Sequence, residues 1–251
     1  AGGVVGPLFG GVLATAFGMR MSFFLAAGAL FVNFLMFVFL IKEPPASVQA
    51  MAKRKRQAEN GDRAASPKIW RMPLLRNMLL CGTLVSMIIM ILQPVLTTYI
   101  AALAGDIPNA GLVVSLGGIA GAITAPLWGK LGQRNGFFRV MALAMVCAGV
   151  GLFVQGIPDT LVPFAIMQFT CGMFLSGIHP AINAVLAENS STEIKGRIFG
   201  YLFSAQQVGS MAGPILGGVV ATCIGMHAVF YVAGSIMVLL SLAVWHKYVR
   251  A

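Results

Sequence analysis

The stretch Ile198–His246, IFGYLFSAQQVGSMAGPILGGVVATCIGMHAVFYVAGSIMVLLSLAVWH, runs for 49 residues without one charged side chain. A helix needs about 20 apolar residues to cross the hydrocarbon of a bilayer. This run therefore predicts two spans, with a turn near Gly225-Met226-His227. Six shorter charge-free runs, at 1–19, 21–41, 77–105, 107–129, 140–158 and 160–187, each suit one span. Eight transmembrane helices follow, because a helix satisfies its own backbone hydrogen bonds in lipid. A transmembrane β-barrel would show roughly ten-residue stretches of alternating polarity; these runs are uniformly apolar. Composition agrees. Of 251 residues, 58% are apolar and 10% charged, against about 25% charged in an ordinary soluble domain. Mean hydropathy is +0.88. A short chain cannot hide so much apolar surface from water, which argues against soluble enzymes, nucleic-acid binders and disulfide scaffolds.

The basic residues set the orientation. With an even number of spans, both termini share one side. That side holds nine Lys/Arg within 42–76, then Lys130, Arg134, Arg139, Lys195, Arg197, Lys247 and Arg250, while the other side holds only Arg20. The positive-inside rule places the 42–76 loop and the C-terminus in the cytoplasm. Topology thus explains the net charge of +10. The Lys53-Arg54-Lys55-Arg56 run reads as a solvated linker near anionic lipid heads, at about 1 kcal/mol per basic residue, in preference to a nucleic-acid contact. Cys81, Cys147, Cys171 and Cys223 fall in spans or at a span end and form no CxxC pair. Neither a metal site nor a disulfide framework is expected. HExxH and GxSxG are absent, so no hydrolytic enzyme and no cofactor is expected.

An internal repeat organises the spans. At an offset of 207, Gly6-Pro7-Leu8-Phe9-Gly10-Gly11-Val12 falls on Gly213-Pro214-Ile215-Leu216-Gly217-Gly218-Val219. Gly18-Met19 falls on Gly225-Met226, and Phe23 on Phe230, with no gap. Spans one and two thus pair with spans seven and eight, giving a unit of six helices. Residues 1–41 are read as the last two helices of a first bundle, 42–76 as a basic cytoplasmic linker and 77–251 as a complete second bundle. Two six-helix units joined by a long loop is a layout of twelve-span secondary transporters, and on this reading four helices precede residue 1.

Several motifs carry a family resemblance. Gly2-x3-Gly6-Pro7-x2-Gly10-Gly11 resembles the antiporter motif of the drug:proton antiporter branch of the major facilitator superfamily. Gly213-Pro214-x2-Gly217-Gly218 is its echo. Gly129-Lys130-Leu131-Gly132-Gln133-Arg134-Asn135-Gly136 resembles the superfamily's cytoplasmic loop motif, with Gln133 where the family has a carboxylate. Pro94-Val95-Leu96-Thr97-Thr98-Tyr99 and Gly196-Arg197-Ile198-Phe199-Gly200-Tyr201 are similar to bacterial multidrug efflux proteins. The resemblance implies the major-facilitator fold, with helices 5–12 of twelve present. It implies a seal against ion leak at Gly6, Pro7, Gly10 and Gly11, and a loop gate at Gly129, Arg134 and Gly136.

Physical chemistry adds to the resemblance. Gly209, Gly213 and Gly217, spaced by four, leave a helix face bare so that a neighbouring backbone can approach closely. Pro214 removes one backbone hydrogen bond and bends its helix. In the 160–187 span, Gln168, Ser176, His179 and Asn183 recur at helical spacing. Polar groups facing lipid are unfavourable, so this face should look into a bundle or cavity. Gln93 and Thr97 near Pro94, and Gln206 and Gln207, extend the candidate cavity. His179 could carry protons or contact substrate, since histidine titrates near neutrality; alternatively it is neutral and bonded to a neighbouring helix. All seven acids, Glu43, Glu59, Asp62, Asp106, Asp159, Glu188 and Glu193, lie outside the spans.

The expected function is proton-coupled export of small amphipathic compounds across a bacterial inner membrane. Its partners are a small-molecule substrate, protons and membrane lipid, with no nucleic acid and no obligate protein partner. One alternative is a major-facilitator transporter of sugars, peptides or organic acids. Another is a truncated, non-transporting membrane protein.

Overall fold

The computed structural model describes residues 2–40, 72–104, 107–191 and 194–249. The basic segment 41–71 and Asp106 lie outside the described residues. Seven helices account for nearly everything described: α1 (Gly2–Leu40), α2 (Pro73–Ala104), α3 (Ile107–Asn135), α4 (Phe137–Gln155), α5 (Leu161–Glu188), α6 (Lys195–Cys223) and α7 (Met226–Tyr248). The chain divides into two compact units, Leu13–Asn77 and Ala1–Val12 with Met78–Ala251.

Seven helices, not eight, is a correction to the expectation from charge-free runs. The first two runs form a single 39-residue element whose helical geometry is broken only at Gly18 (φ 79°, ψ 160°). The two runs thus meet at a kink, with no intervening loop. The partner of Gly18 in the repeat is Gly225 (φ 123°, ψ 162°), which stands between α6 and α7. The repeat therefore extends to backbone conformation. Both glycines occupy a region that L side chains rarely enter, and a Cβ at either would meet nothing within 4 Å. The requirement for glycine is conformational, not steric. Gly225→Ala should accordingly lower stability by about 1–3 kcal/mol, measurable as a shift in thermal unfolding of the detergent-solubilised protein.

Six described helical segments are long and apolar enough to cross a membrane: Arg20–Phe39, Pro73–Leu103, Gly111–Asn135, Phe137–Gln155, Leu161–Glu188 and Met226–Tyr248. The 29 residues of α6 are charge-free after Arg197 but fall short of that measure. Gln206, Gln207, Ser204, Ser210 and a series of glycines dilute its apolar content. This is a multi-pass membrane protein whose outer surface is itself apolar, with Leu80, Ile123, Val162, Phe203, Met211, Ile215 and Leu239 all exposed.

Lipid tails are as apolar as leucine, so burying leucine gives helices little reason to associate. Close packing and interhelical hydrogen bonds must hold them together. Three helix pairs in the larger unit meet on glycine. Across α3 and α5, a Cβ on Gly172 would fall on the backbone of Gly117. Across α4 and α7, Gly149 and Gly234 face each other's carbonyls, at 3.0 and 2.8 Å from the positions their Cβ atoms would take. Across α2 and α6, Gly209, Gly213 and Gly217 press on the carbonyls of Thr83, Met87 and Ile91, themselves spaced by four. Side-chain donors add ties. Ser241 Oγ donates to Ala142 O at 2.6 Å, joining α7 to α4. Trp128 Nε1 donates to Met173 O at 2.7 Å, joining α3 to α5.

Candidate functional site

A cavity of about 400 Å³ lies among α2, α3, α4, α5 and α7. From α2 come Gln93 and Thr97, from α3 Gly117 and Gly121, from α4 Gln155, from α5 Gln168 and Ser176, and from α7 Phe230. Pro94 breaks the hydrogen-bond ladder of α2 at this level, and its carbonyl accepts bonds from Thr97 Oγ1 and Thr98 Oγ1, each at 3.1 Å. Glycine makes the α3 wall thin: a Cβ on Gly117 would stand 3.1 Å from Gln168 Nε2, and one on Gly121 3.2 Å from Ser176 Cβ.

The polar groups are of two kinds. Gln155, only 2% exposed, donates through Nε2 to Gln168 Oε1. This pair fixes both amides and ties α4 to α5. Ser176 Oγ is likewise engaged, 2.9 Å from Met173 O and 3.0 Å from Thr124 Oγ1. Gln93 differs. Its side chain is exposed and has no hydrogen-bond partner among the described residues, so its amide is free to donate to or accept from a ligand. None of the lining residues carries a formal charge. A chamber of this size, mostly apolar with a few fixed amides, suits a small amphipathic molecule and demands no charge partner.

Sequence spacing anticipated Gln93, Thr97, Gln168 and Ser176, and the structure brings these four together. The other anticipated residues lie elsewhere. His179 Nδ1 is 3.2 Å from Gln206 Nε2, bridging α5 to α6 beside Gly82 of α2. Asn183 and Gln207 are exposed and do not line the cavity. Gln155 went unnoticed, although it is the one amide in the otherwise apolar 140–158 run.

The motif glycines are also placed. Gly213 and Gly217 are buried against α2, whereas Gly218 has open space around it and Pro214 is exposed. Gly136 adopts φ 88° at the start of α4, and Arg134 and Gly129 lie near the end of α3, Arg134 exposed. Gly6, Pro7, Gly10 and Gly11 fall on α1, where their side-chain environment lies outside the described residues.

Apolar helices of membrane-spanning length, packed on glycine around a small uncharged chamber, define a polytopic membrane protein. The sequence profile of the Major Facilitator Superfamily matches residues 1–105 and 78–250. The chain belongs to that superfamily. It is also similar to curated relatives named "Multidrug resistance protein MdtG". The one from Rahnella sp. (strain Y9602) is 32% identical over 247 residues, covering 94% of this chain and 57% of the relative. The one from Salmonella typhimurium (strain LT2) is 30% identical over 251 residues, covering 98% and 61%. The chain thus spans about three fifths of the length of these relatives.

Proposed function

We propose that this chain serves a secondary transporter that exports small amphipathic compounds across a bacterial inner membrane by proton-coupled alternating access. The observation that carries the proposal is the uncharged, amide-lined cavity. Similarity to proteins named for multidrug resistance supports the direction and the cargo class. Residues 1–41 then contribute the last two helices of a first bundle, 42–76 a cytoplasmic linker and 77–251 a second bundle. The bundles rock about a central site and expose it to each side in turn. Gln93 and Thr97 contact cargo, while the Gln155–Gln168 pair shapes the wall. The glycine row of α6 lets its helix move closely against α2.

Proton coupling needs a titrating group at membrane depth. Among the described acids, Asp159 follows α4 and Glu188 ends α5, so neither lies in the cavity. His179 holds Gln206 of the adjacent helix, and we assign it to bundle architecture. His179→Gln, whose amide can renew that bond without a titrating ring, should leave pH-gradient-driven efflux near the parent rate. Loss of gradient drive with normal protein levels would put His179 in the proton path. The cargo site itself is tested by Gln93→Ala, which should raise the concentration of dye needed for half-maximal efflux. An unchanged concentration dependence would remove Gln93 from the site.

A further inference from the structure

A second cleft lies near the C-terminal end of α3 and involves none of the cavity residues above. Leu127, Trp128 and Leu131 of α3 meet Met173 and Phe174 of α5 around a groove of about 350 Å³, with Lys130 and Arg134 in its lining. The Trp128 ring stands edge-on to Phe174, with centroids 6.1 Å apart. Its only polar atom is engaged by the Met173 carbonyl, so the indole presents an apolar wall. Leu127 is 60% exposed. Lys130 and Arg134 are exposed, one helical turn apart, and form no ion pair among the described residues.

We propose that this cleft is a binding site for an anionic phospholipid, its acyl chain lying along Leu127, Leu131, Met173 and Phe174 and its phosphate between Lys130 and Arg134. Charge complementarity selects this occupant. A fully apolar ligand would leave two unpaired cations at the groove, and a free anion would leave the apolar walls unused. A zwitterionic lipid carries its own cation, which would offset part of the attraction. The position fits as well. The cleft is on the basic side of the sequence, where the cytoplasmic leaflet supplies anionic lipid. Tryptophan and long basic side chains also settle at that interface.

Quenching of Trp128 by brominated lipid tests the proposal. The whole chain carrying Trp70→Phe and Trp245→Phe, with Trp128 as its only tryptophan, is reconstituted into phosphatidylcholine vesicles. These contain brominated phosphatidylglycerol or brominated phosphatidylcholine at equal mole fraction. Each basic residue near an anionic surface favours anionic lipid by about fivefold. Brominated phosphatidylglycerol should therefore quench Trp128 at far lower mole fraction. Lys130→Gln and Arg134→Gln should each reduce that preference by about fivefold, and the double variant should treat both lipids alike. The exchange Lys130→Arg with Arg134→Lys should keep the preference. Equal quenching of the parent by both lipids would overturn the proposal, as would a preference that survives in the double variant. So would a Trp128 that neither lipid reaches, because protein would then cover the cleft.

Discussion

Valine at Gly209 or Gly217 should destabilise the bundle by about 3 kcal/mol or more, and alanine at either position by about 1–3 kcal/mol. The obstacle is backbone. A Cβ on Gly209 would overlap the carbonyl of Thr83, and one on Gly217 the carbonyl of Ile91. A flexible side chain could swing away from such a contact, but a carbonyl inside a helix moves only with its helix. The clash must therefore separate α6 from α2. Separation loses the dispersion contacts along the row together with weak Cα–H···O contacts, the latter worth about 0.5–1 kcal/mol each. Gly218 is the internal control. It lies on the same helix with nothing within 4 Å of its would-be Cβ, so Gly218→Ala should be neutral or slightly stabilising through helix propensity. Thermal unfolding of the three alanine variants in one detergent measures the contrast. Equal effects at Gly209 and Gly218 would mean that the close crossing does not exist.

The second large effect separates structure from transport. Gln168→Leu should leave the buried Gln155 amide without its partner, at a loss of about 1 kcal/mol for an interhelical bond in a membrane protein. Gln155→Leu does the reverse. The double variant removes both amides together, so it should be more stable than the sum of the single losses predicts, as a coupled pair requires. Efflux should behave differently. The double variant replaces two of the three amides of the wall with isobutyl groups, and we expect export of an amphipathic dye to fall below detection while the protein remains folded. Additive stability losses would remove the coupling, and normal efflux would remove the pair from the cargo wall.

Much of this was legible in the sequence because lipid imposes simple rules. Charge marks the ends of helices, and the absence of charge marks their interiors. The 198–246 run thus yielded two helices joined near Gly225, and α6 and α7 flank that residue. At Gly18 the same rule predicts two helices where the backbone runs on as one element kinked at a single residue, since a glycine joint needs no polar loop. Periodicity also grouped Gln168 with Ser176 on α5, and both line the same cavity. It went no further, since spacing along one helix says which residues share a face but not which neighbour covers each turn. Around Gln168 and Ser176 that neighbour is α3, opened by Gly117 and Gly121; around His179 it is α6, which supplies Gln206. Gln155 was missed for a related reason. A lone amide at the end of an apolar helix has no period, and only the α4–α5 packing brings it to Gln168.

The most direct measurement is dye transport by inverted membrane vesicles containing the protein, energised by an imposed pH gradient. Dye should accumulate in vesicles with the parent protein, stop on addition of an uncoupler, and be absent with Gln155→Leu/Gln168→Leu. Accumulation that ignores the uncoupler would contradict proton coupling. Accumulation that persists at the parent rate in the double variant would contradict a cargo site in this cavity.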